Sequence, residues 1–305
     1  MNFKGRDIIS INDFSKDEII YILETAKKFD KGLRSNLLQG KVLAALFFES
    51  STRTRLSFTA AMEQLGGSTI GFDTAEVTSI KKGETLWDTI KMVEQYSDAI
   101  VIRNPIEGSA RLAAEAASIP VINAGDGSNQ HPSQTFVDLY TILQTKGKLD
   151  NLSIGMVGDL KYGRTVHSLG VALSHFNVKF YFVAPEALKM PREYVDLLNE
   201  KGKKVIETED IQKVVNDMDV LYMTRIQGER FQDPLEYEKY KDVYTVNLEL
   251  LKNAKKDLKI MHPLPRVGEI SMEIDSTSFA AYFQQAGNGI PIRKALLSLV
   301  LGMTK

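Results

Sequence analysis

The first thirty residues have a hydrophobic pattern typical of one amphipathic helix. Ser15–Glu18 has the spacing of a capping box, in which the serine and glutamate side chains each accept from a backbone N–H at the helix start. From Ile19 to Phe29 apolar residues recur every three or four positions. The pattern predicts a helix that begins after Ser15 and ends near Gly32.

Beyond this helix, short apolar runs alternate with amphipathic stretches. The runs predict strands at 42–48, 69–72, 99–102 and 120–124, and the stretches predict helices at 55–65, 85–97, 109–117 and 133–145. Regular alternation of a short strand with a longer helix is typical of βαβ units in a parallel sheet.

The polar, glycine-containing segment Lys146–Asn151 predicts a domain boundary. After it the alternation restarts, and further helices are predicted near 248–254 and at 292–301. We therefore expect an α/β protein with two doubly wound parallel-sheet domains, 1–146 and 147–305, and an active site in the cleft between them. The last helix, within 288–305, has no strand after it, and we expect it to pack back on the first domain.

The amino-acid composition excludes several classes of protein and of functional site. The 305 residues carry a net charge of −1 and no cysteine, which excludes disulfide scaffolds, thiolate nucleophiles and cysteine-ligated metals. The charge balance argues against nucleic-acid binding by bulk positive charge. No apolar run approaches the roughly 20 residues of a membrane helix, and the first residues contain no apolar signal core. We expect a soluble, cytoplasmic protein that binds neither nucleic acid nor membrane.

The segment Glu49–Arg55 predicts a phosphate site. It places hydroxyls and two arginines where a strand ends and a helix begins. A helix N-terminus favours an anion, and a guanidinium binds phosphate oxygens two at a time. The alternative is an ordinary N-cap of serine or threonine with solvated arginines.

Arginines are concentrated in the loops that follow predicted strands. Half of the twelve arginines lie there: Arg53, Arg55, Arg103, Arg164, Arg225 and Arg266. His131 lies in such a loop, before a proline, whereas His262 could be mainly structural. Since ligands of open α/β sheets bind at these loops, the distribution favours a small polyanionic ligand.

Two other kinds of site are disfavoured by spacing. Gly158–Gly163 lacks the glycine pattern of dinucleotide-binding loops, which argues against an NAD-dependent oxidoreductase. The four histidines lack zinc-ligand spacing and no cluster of acidic residues is evident, so we predict no metal.

Three motifs in one order, Ser51–Arg55, His131–Gln134 and His262–Arg266, closely resemble the aspartate/ornithine carbamoyltransferase family. The resemblance runs nearly end to end. The first motif is shared across that family. The last one resembles the aspartate branch, because the ornithine enzymes typically have a cysteine in this loop and this chain has none.

The resemblance implies a role for each matching residue. Catalytic roles are implied for Arg53, Thr54, Arg103, His131 and Lys82. Substrate binding is implied for Ser51, Thr52, Ser79, Gln134, Arg164, Arg225, Gln227, Leu264 and Pro265. The implied reaction transfers the carbamoyl group of carbamoyl phosphate to L-aspartate, an early step of pyrimidine biosynthesis, without a cofactor.

The resemblance also implies a homotrimer with shared active sites, in which Ser79 and Lys82 act in the neighbouring subunit; sequence alone would favour a solvated lysine pair there. Whether a regulatory chain binds stays open, because the chain departs from the family at Gly268 and by an apparent insertion at Gln232. Two alternatives also stay open: a carbamoyltransferase for another amine, and a non-catalytic subunit that binds a phosphorylated metabolite.

Overall fold

The computed structural model describes residues 1–29, 32–228, 231 and 233–303, without the side chains at 77, 80, 234 and 236. The chain divides into two compact units. Unit 1 comprises residues 1–140 and 287–305, and unit 2 comprises residues 141–286. The dividing positions lie inside two helices that continue from one unit into the other, whereas the sequence analysis placed its boundary at the end of the first of these helices, at 146.

Unit 1 contains a parallel sheet in the order β2-β1-β3-β4. Its elements are α1 (Lys16–Lys27), β1 (Val42–Phe47), α2 (Thr52–Gln64), β2 (Ser68–Phe72), α3 (Leu86–Val93), β3 (Ala99–Asn104), α4 (Ser109–Ala116), β4 (Val121–Asp126) and α5 (Pro132–Lys146), which extends into unit 2.

Unit 2 contains a parallel sheet in the order β7-β6-β5-β8-β9. Its elements are β5 (Leu152–Val157), α6 (Arg164–Leu173), β6 (Val178–Val183), α7 (Arg192–Glu200), β7 (Lys204–Thr208), β8 (Val220–Met223), α8 (Pro234–Tyr240), β9 (Lys259–Met261) and the start of α9 (Tyr282–Val300). The expectation of two parallel-sheet α/β domains is confirmed.

The sequence explains why these segments form these elements. The Glu18 carboxylate accepts the Ser15 N–H at 2.8 Å and the Ser15 hydroxyl accepts the Glu18 N–H at 3.3 Å, which confirms the capping box that begins α1. The central strands are apolar and buried almost throughout, as strands covered on both faces must be, whereas the edge strands β2 and β7 are partly exposed.

Each sheet has a point where the strand order reverses. The chain passes from β1 to β2 on one side and then places β3 on the other side of β1; β5, β6 and β8 repeat this arrangement. The loops after β1 and β3, and after β5 and β8, therefore diverge from a crevice at the carboxyl ends of the strands. Ligands of open α/β sheets bind at such switch points.

One predicted helix is absent from the structure, and one helix of the structure was not predicted. The segment 248–254 forms consecutive turns, because Lys252 and Ala254 donate to carbonyls three residues earlier and the Asn247 side chain accepts the Leu250 N–H. Helix α8 was not predicted, although Asp233 before Pro234 is a typical helix start; the aspartate accepts the Leu235 N–H at 2.9 Å.

The final helix α9 begins ten residues before the predicted Ile292. Its C-terminal half belongs to unit 1, where the Val300 carbonyl accepts the Gly5 N–H at 2.8 Å. Within the described part of the chain, no helix has the length and apolar character needed to cross a membrane.

The same carboxylate clamp joins the central strands of both sheets. Asp98, just before β3, accepts the Val42 N–H at 2.9 Å and the Lys41 ammonium at 2.7 Å. Asp219, just before β8, accepts the Ser153 N–H at 2.7 Å and the Lys255 ammonium at 2.7 Å. Each aspartate thereby ties the first residues of two adjacent strands. Burial raises the pKa of Asp98, but the bonds from Lys41 and Val42 outweigh burial and leave that pKa below its usual 3.8.

We expect Asp98→Asn to lower the free energy of unfolding by about 1–2 kcal/mol at pH 7, since it removes charge-assisted hydrogen bonds. A carboxylate with a lowered folded-state pKa stabilises the fold above its unfolded pKa, and this contribution disappears as the pH falls through the folded value. Urea titrations should therefore show a difference in the free energy of unfolding between wild type and variant that is smaller below pH 3.8 than at pH 7. A gap independent of pH would contradict this account.

Candidate active site

The loop after β1 presents the predicted phosphate-binding residues at the start of α2. Ser51 is the N-cap residue, but its side chain makes no capping hydrogen bond. Thr54, in the first turn, is buried. The first N–H groups of any helix have no acceptor within the helix, and its dipole favours an anion there. The local geometry therefore suits a phosphate group.

Two arginines repel each other at this switch point. Arg103, on β3, donates to the Glu49 carboxylate at 2.5 Å and to the Ala124 carbonyl at 3.4 Å. Its Nε atom is buried and has no hydrogen-bond partner among the described residues. Partial burial and then the positive charge of Arg103 lower the pKa of Arg53. A bound dianion would neutralise both guanidinium groups.

His131 follows β4 and is held rigidly at the start of α5. Its ring is buried, with Nδ1 3.3 Å from the Ser133 hydroxyl, and its carbonyl accepts the N–H groups of Gln134 and Thr135 at 3.0 and 3.1 Å. A Ser133 hydroxyl that donates to Nδ1 leaves Nε2 as the N–H donor of the neutral ring. Such a ring can donate to a carbonyl oxygen.

A buried carboxylate organises the polar loop that leads to His131. Asp126 accepts from the side-chain amides of Asn123 and Asn129 at 2.9 and 3.0 Å, and from the N–H groups of Gln130 and Gly108 at 3.1 Å each. With four donors on one carboxylate, the loop has a single arrangement. Asp126 was not among the predicted residues, although an aspartate at the end of a strand is a signal for such a role.

In unit 2 a second buried carboxylate joins the loops after β5 and β8. Asp159 accepts the N–H groups of Tyr162 at 2.9 Å and Gln227 at 3.4 Å. Burial raises the pKa of Asp159, and the backbone bonds and the charge of Arg225 only partly oppose this. Arg225 therefore lies within electrostatic reach of Asp159. Arg164 is the first residue of α6 and directly follows the loop after β5.

Gly158 permits the close approach of these two loops. Its φ is +113°, and a Cβ there would lie 2.4 Å from the Thr224 carbonyl oxygen. The Thr224 hydroxyl in turn accepts the Asp159 N–H at 2.9 Å. The glycine thus allows close backbone packing that a side chain would prevent.

His262 supports the loop after β9. Its Nδ1 accepts the Leu264 N–H at 2.7 Å, so the ring proton lies on Nε2, which donates to Glu269 at 2.7 Å. Burial raises the pKa of Glu269, but bonds from His262, Gly268 and Val267 together lower it to about 2. The loop contains a cis peptide before Pro265, and Leu264 has a φ of +56°.

Two more of the six loop arginines pair with carboxylates. Arg266 forms a bidentate pair with Asp275 and stacks 5.3 Å from the Tyr282 ring centre. Arg55 points toward Asp73, at 3.4 Å. Both therefore have carboxylate partners in their own unit, as Arg103 has in Glu49, and the expectation that they contact anionic ligands stays a prediction.

The structure thus brings the predicted residues together in two groups. In unit 1 the loops after β1, β3 and β4 present Ser51, Thr52, Arg53, Thr54, Arg103, His131 and Gln134. In unit 2 the loops after β5, β8 and β9 present Arg164, Arg225, Gln227, Leu264 and Pro265.

Two predicted residues lie apart from these loops, and one position is undescribed. Ser79 and Lys82 are exposed on a short 3₁₀ turn between β2 and α3. No cluster of three histidine, aspartate or glutamate side chains that could hold a metal occurs among the residues described. The apparent insertion at Gln232 lies outside the described residues.

Known proteins resemble the chain over nearly its whole length. The carbamoyl-phosphate-binding domain of aspartate/ornithine carbamoyltransferases matches residues 6–144, and the aspartate/ornithine-binding domain of the same family matches residues 150–300. The catalytic subunit of aspartate carbamoyltransferase from Thermococcus kodakarensis is 60% identical over 99% of both chains. The corresponding subunit from Bacteroides fragilis is 53% identical over 99% of this chain and 98% of its own.

Solved structures agree with the sequence comparisons. Aspartate transcarbamoylase from Trypanosoma cruzi, in complex with carbamoyl phosphate and aspartate, superposes with a TM-score of 0.93 at 39% identity, over 98% of both chains. The catalytic subunit of the M. jannaschii enzyme superposes with a TM-score of 0.88 at 50% identity, over 96% of this chain and 97% of its own. On this evidence the chain belongs to the aspartate/ornithine carbamoyltransferase family.

Proposed function

We propose that the chain transfers the carbamoyl group of carbamoyl phosphate to the amine of L-aspartate, giving N-carbamoyl-L-aspartate and phosphate. The pair of mutually repelling guanidiniums, Arg53 and Arg103, at the switch point of unit 1 is the observation that carries this proposal. Family membership and the named activity of relatives at up to 60% identity support it.

Carbamoyl phosphate binds to unit 1. The hydroxyls of Ser51, Thr52 and Thr54 and the guanidiniums of Arg53 and Arg103 hold its phosphate group. The buried Nε of Arg103, which has no hydrogen-bond partner among the described residues, supports this role, and so does the start of α2, where the Ser51 side chain makes no capping bond.

The carbamoyl carbonyl is polarised by His131, Thr54 and Arg103. As the amine attacks, negative charge develops on the carbonyl oxygen, and these donors are already in place to stabilise it. One such donor is typically worth about 3 kcal/mol of transition-state stabilisation. The rigid placement of His131 at the start of α5 supports this role, since donors that need no reorientation stabilise the oxyanion most effectively. Gln134 binds the carbamoyl amino group.

L-Aspartate binds to unit 2. Arg164, Arg225 and Gln227 bind its two carboxylates, and Leu264 and Pro265 contribute backbone groups. The tie between the two loops at Asp159 supports this assignment, because it orders both arginine-bearing segments together. Two arginines favour a dicarboxylic amine over ornithine, whose side-chain ammonium they would repel.

The chemistry needs no cofactor or metal from the protein. The amine nitrogen forms a bond to the carbamoyl carbon, the carbon–oxygen bond to phosphate breaks, and the leaving phosphate takes the amine proton. Arg53, Arg103 and Lys82 stabilise the charge that grows on the departing phosphate. Holding both substrates in attack geometry supplies much of the remaining acceleration. The active site expected in the cleft between the two domains stays a prediction.

The assembly is a homotrimer with shared active sites, to which Ser79 and Lys82 contribute from the neighbouring subunit. Exposed apolar side chains on the elements flanking this turn support an interface there: Ile70, Trp87 and Met92 are each more than 40% exposed. The enzyme works in the cytoplasm at an early step of pyrimidine biosynthesis.

A product assay with carbamoyl phosphate and a panel of amines tests the reaction. We expect carbamoylated aspartate, no product from ornithine, and a KM for aspartate at least tenfold higher in Arg225→Ala. The matched control is Arg192→Ala on α7, whose side chain is 72% exposed and forms ion pairs with Asp196 and Glu207. Carbamoylation of ornithine instead would establish the other branch, and phosphate binding without any product would establish a non-catalytic subunit.

Mixing two inactive variants tests the shared site. If Lys82 acts across a subunit boundary, hybrids of Lys82→Ala and Arg53→Ala chains contain some sites with both residues intact. We expect each variant alone to be nearly inactive and the mixture, after dissociation and reassembly, to recover a measurable fraction of wild-type activity. A mixture as inactive as its components would eliminate the trans-acting role of Lys82.

A further inference from the structure

We propose that Asp138, a buried carboxylate that accepts from Gln134, fixes the amide orientation of Gln134 with support from the buried charge of Arg293, so that the site selects acyl phosphates bearing an N–H₂ group on the acyl carbon. This inference rests on the proposed function, in which Gln134 contacts the carbamoyl group. The resemblance implied a role for Gln134 but none for Asp138 or Arg293.

The amide orientation follows from hydrogen-bond chemistry. Gln134 and Asp138 lie one turn apart on α5, and the Gln134 Nε2 donates to the Asp138 carboxylate at 2.7 Å. An ionised carboxylate accepts and cannot donate, so it binds the amide nitrogen and not the amide oxygen. Gln134 therefore directs its carbonyl oxygen away from Asp138, as an acceptor. A ligand N–H₂ group satisfies that acceptor, and a methyl group does not.

The buried guanidinium of Arg293 lies within electrostatic reach of Asp138. The guanidinium is almost fully buried, on the half of α9 that belongs to unit 1. Burial lowers the pKa of Arg293 to about 10, and the charge of Asp138 opposes that shift. Arg293 therefore stays protonated near neutral pH.

The location of Arg293 is fixed by close packing. Its guanidinium carbon lies 5.0 Å from the centre of the Phe58 ring on α2. A Cβ atom at position 289 would lie 2.0 Å from the Arg293 Nη1. Any residue larger than glycine at this position would therefore displace the guanidinium. The Arg293 Nε is buried without a hydrogen-bond partner among the described residues, which makes this charge costly to keep. A costly buried charge calls for a role other than packing.

The same packing links Arg293 to the phosphate-binding turn. The Gly289 Cβ position lies 3.8 Å from the Ser57 Cβ, and the Ser57 hydroxyl donates to the carbonyls of Arg53 and Thr54. Arg293 thus packs against α2, whose first turn carries the proposed phosphate-binding residues. It acts through Asp138 and α2.

Discrimination between carbamoyl phosphate and acetyl phosphate reports the amide orientation. The two ligands share the phosphate and the carbonyl and differ in N–H₂ against CH₃. A site built to hydrogen-bond an N–H group rejects an analogue that lacks it, because its acceptor is then left unpaired. We define the discrimination as the inhibition constant of acetyl phosphate divided by the KM of carbamoyl phosphate.

We expect Asp138→Asn to lower the discrimination at least fivefold, because a neutral amide at 138 allows Gln134 to flip. The KM of carbamoyl phosphate should rise while the inhibition constant of acetyl phosphate changes less than twofold. Arg293→Lys, which keeps the buried charge, should retain more discrimination than Arg293→Gln. The double variant Asp138→Asn with Gln134→Ala should have the same discrimination as Gln134→Ala alone, since both substitutions act on the same interaction.

Phe136→Leu is the matched control, because Phe136 is buried on the same helix and packs edge-on against Phe14. It should lower the melting temperature without changing the discrimination. Unchanged discrimination in a folded Asp138→Asn, or in Arg293→Gln where Asp138→Asn does not fold, would overturn the inference. Equal weakening of both ligands would overturn it too. Absence of carbamoyl transfer in the wild type would instead refute the proposed function.

Discussion

Two positive charges held against each other, those of Arg53 and Arg103, are the constraint on which the rest of the site depends. After the larger effect of burial, the charge of Arg103 lowers the pKa of Arg53, and a bound dianion would offset both positive charges. The adjacency of β1 and β3 places them there, because both arginines belong to segments at the carboxyl ends of neighbouring parallel strands. Glu49 offsets part of the charge through Arg103. The strand order thus brings two positive charges together, and in the proposed reaction the negative charge of the phosphate group offsets them.

Buried carboxylates hold the surrounding loops in place. Asp126 orders the loop before His131, Asp159 joins two loops of unit 2, and Glu269 with His262 supports the Leu264 turn. Each accepts backbone or side-chain donors that would otherwise be unsatisfied in the interior. These acids contribute geometry, whereas the arginines and hydroxyls around them bind the substrates in the proposed reaction. Asp138 extends the same principle to the orientation of Gln134.

Strands were predictable from the sequence, because their hydrophobic pattern reflects their burial. The loops that carry the candidate residues were also predictable, because they follow the strand ends. The side-chain partners of the arginines were not predictable. Arg55 and Arg266 have the same local setting as Arg53, and only the fold brings Asp73 and Asp275 to them. Asp138 and Arg293 are 155 positions apart, so no local pattern relates them. Helix α8 was missed because its seven residues are too few for a clear period.

The most direct test is a calorimetric titration of inorganic phosphate into the wild type, Arg53→Gln, Arg103→Gln and Arg55→Gln. Arg55 is the matched control, since it lies in the same turn of α2 but pairs with Asp73. The account predicts that the first two variants lose at least tenfold in affinity, that high salt weakens wild-type binding, and that Arg55→Gln stays within twofold of wild type. Equal affinity in all four proteins would contradict it, as would an Arg55→Gln loss as large as that of Arg53→Gln.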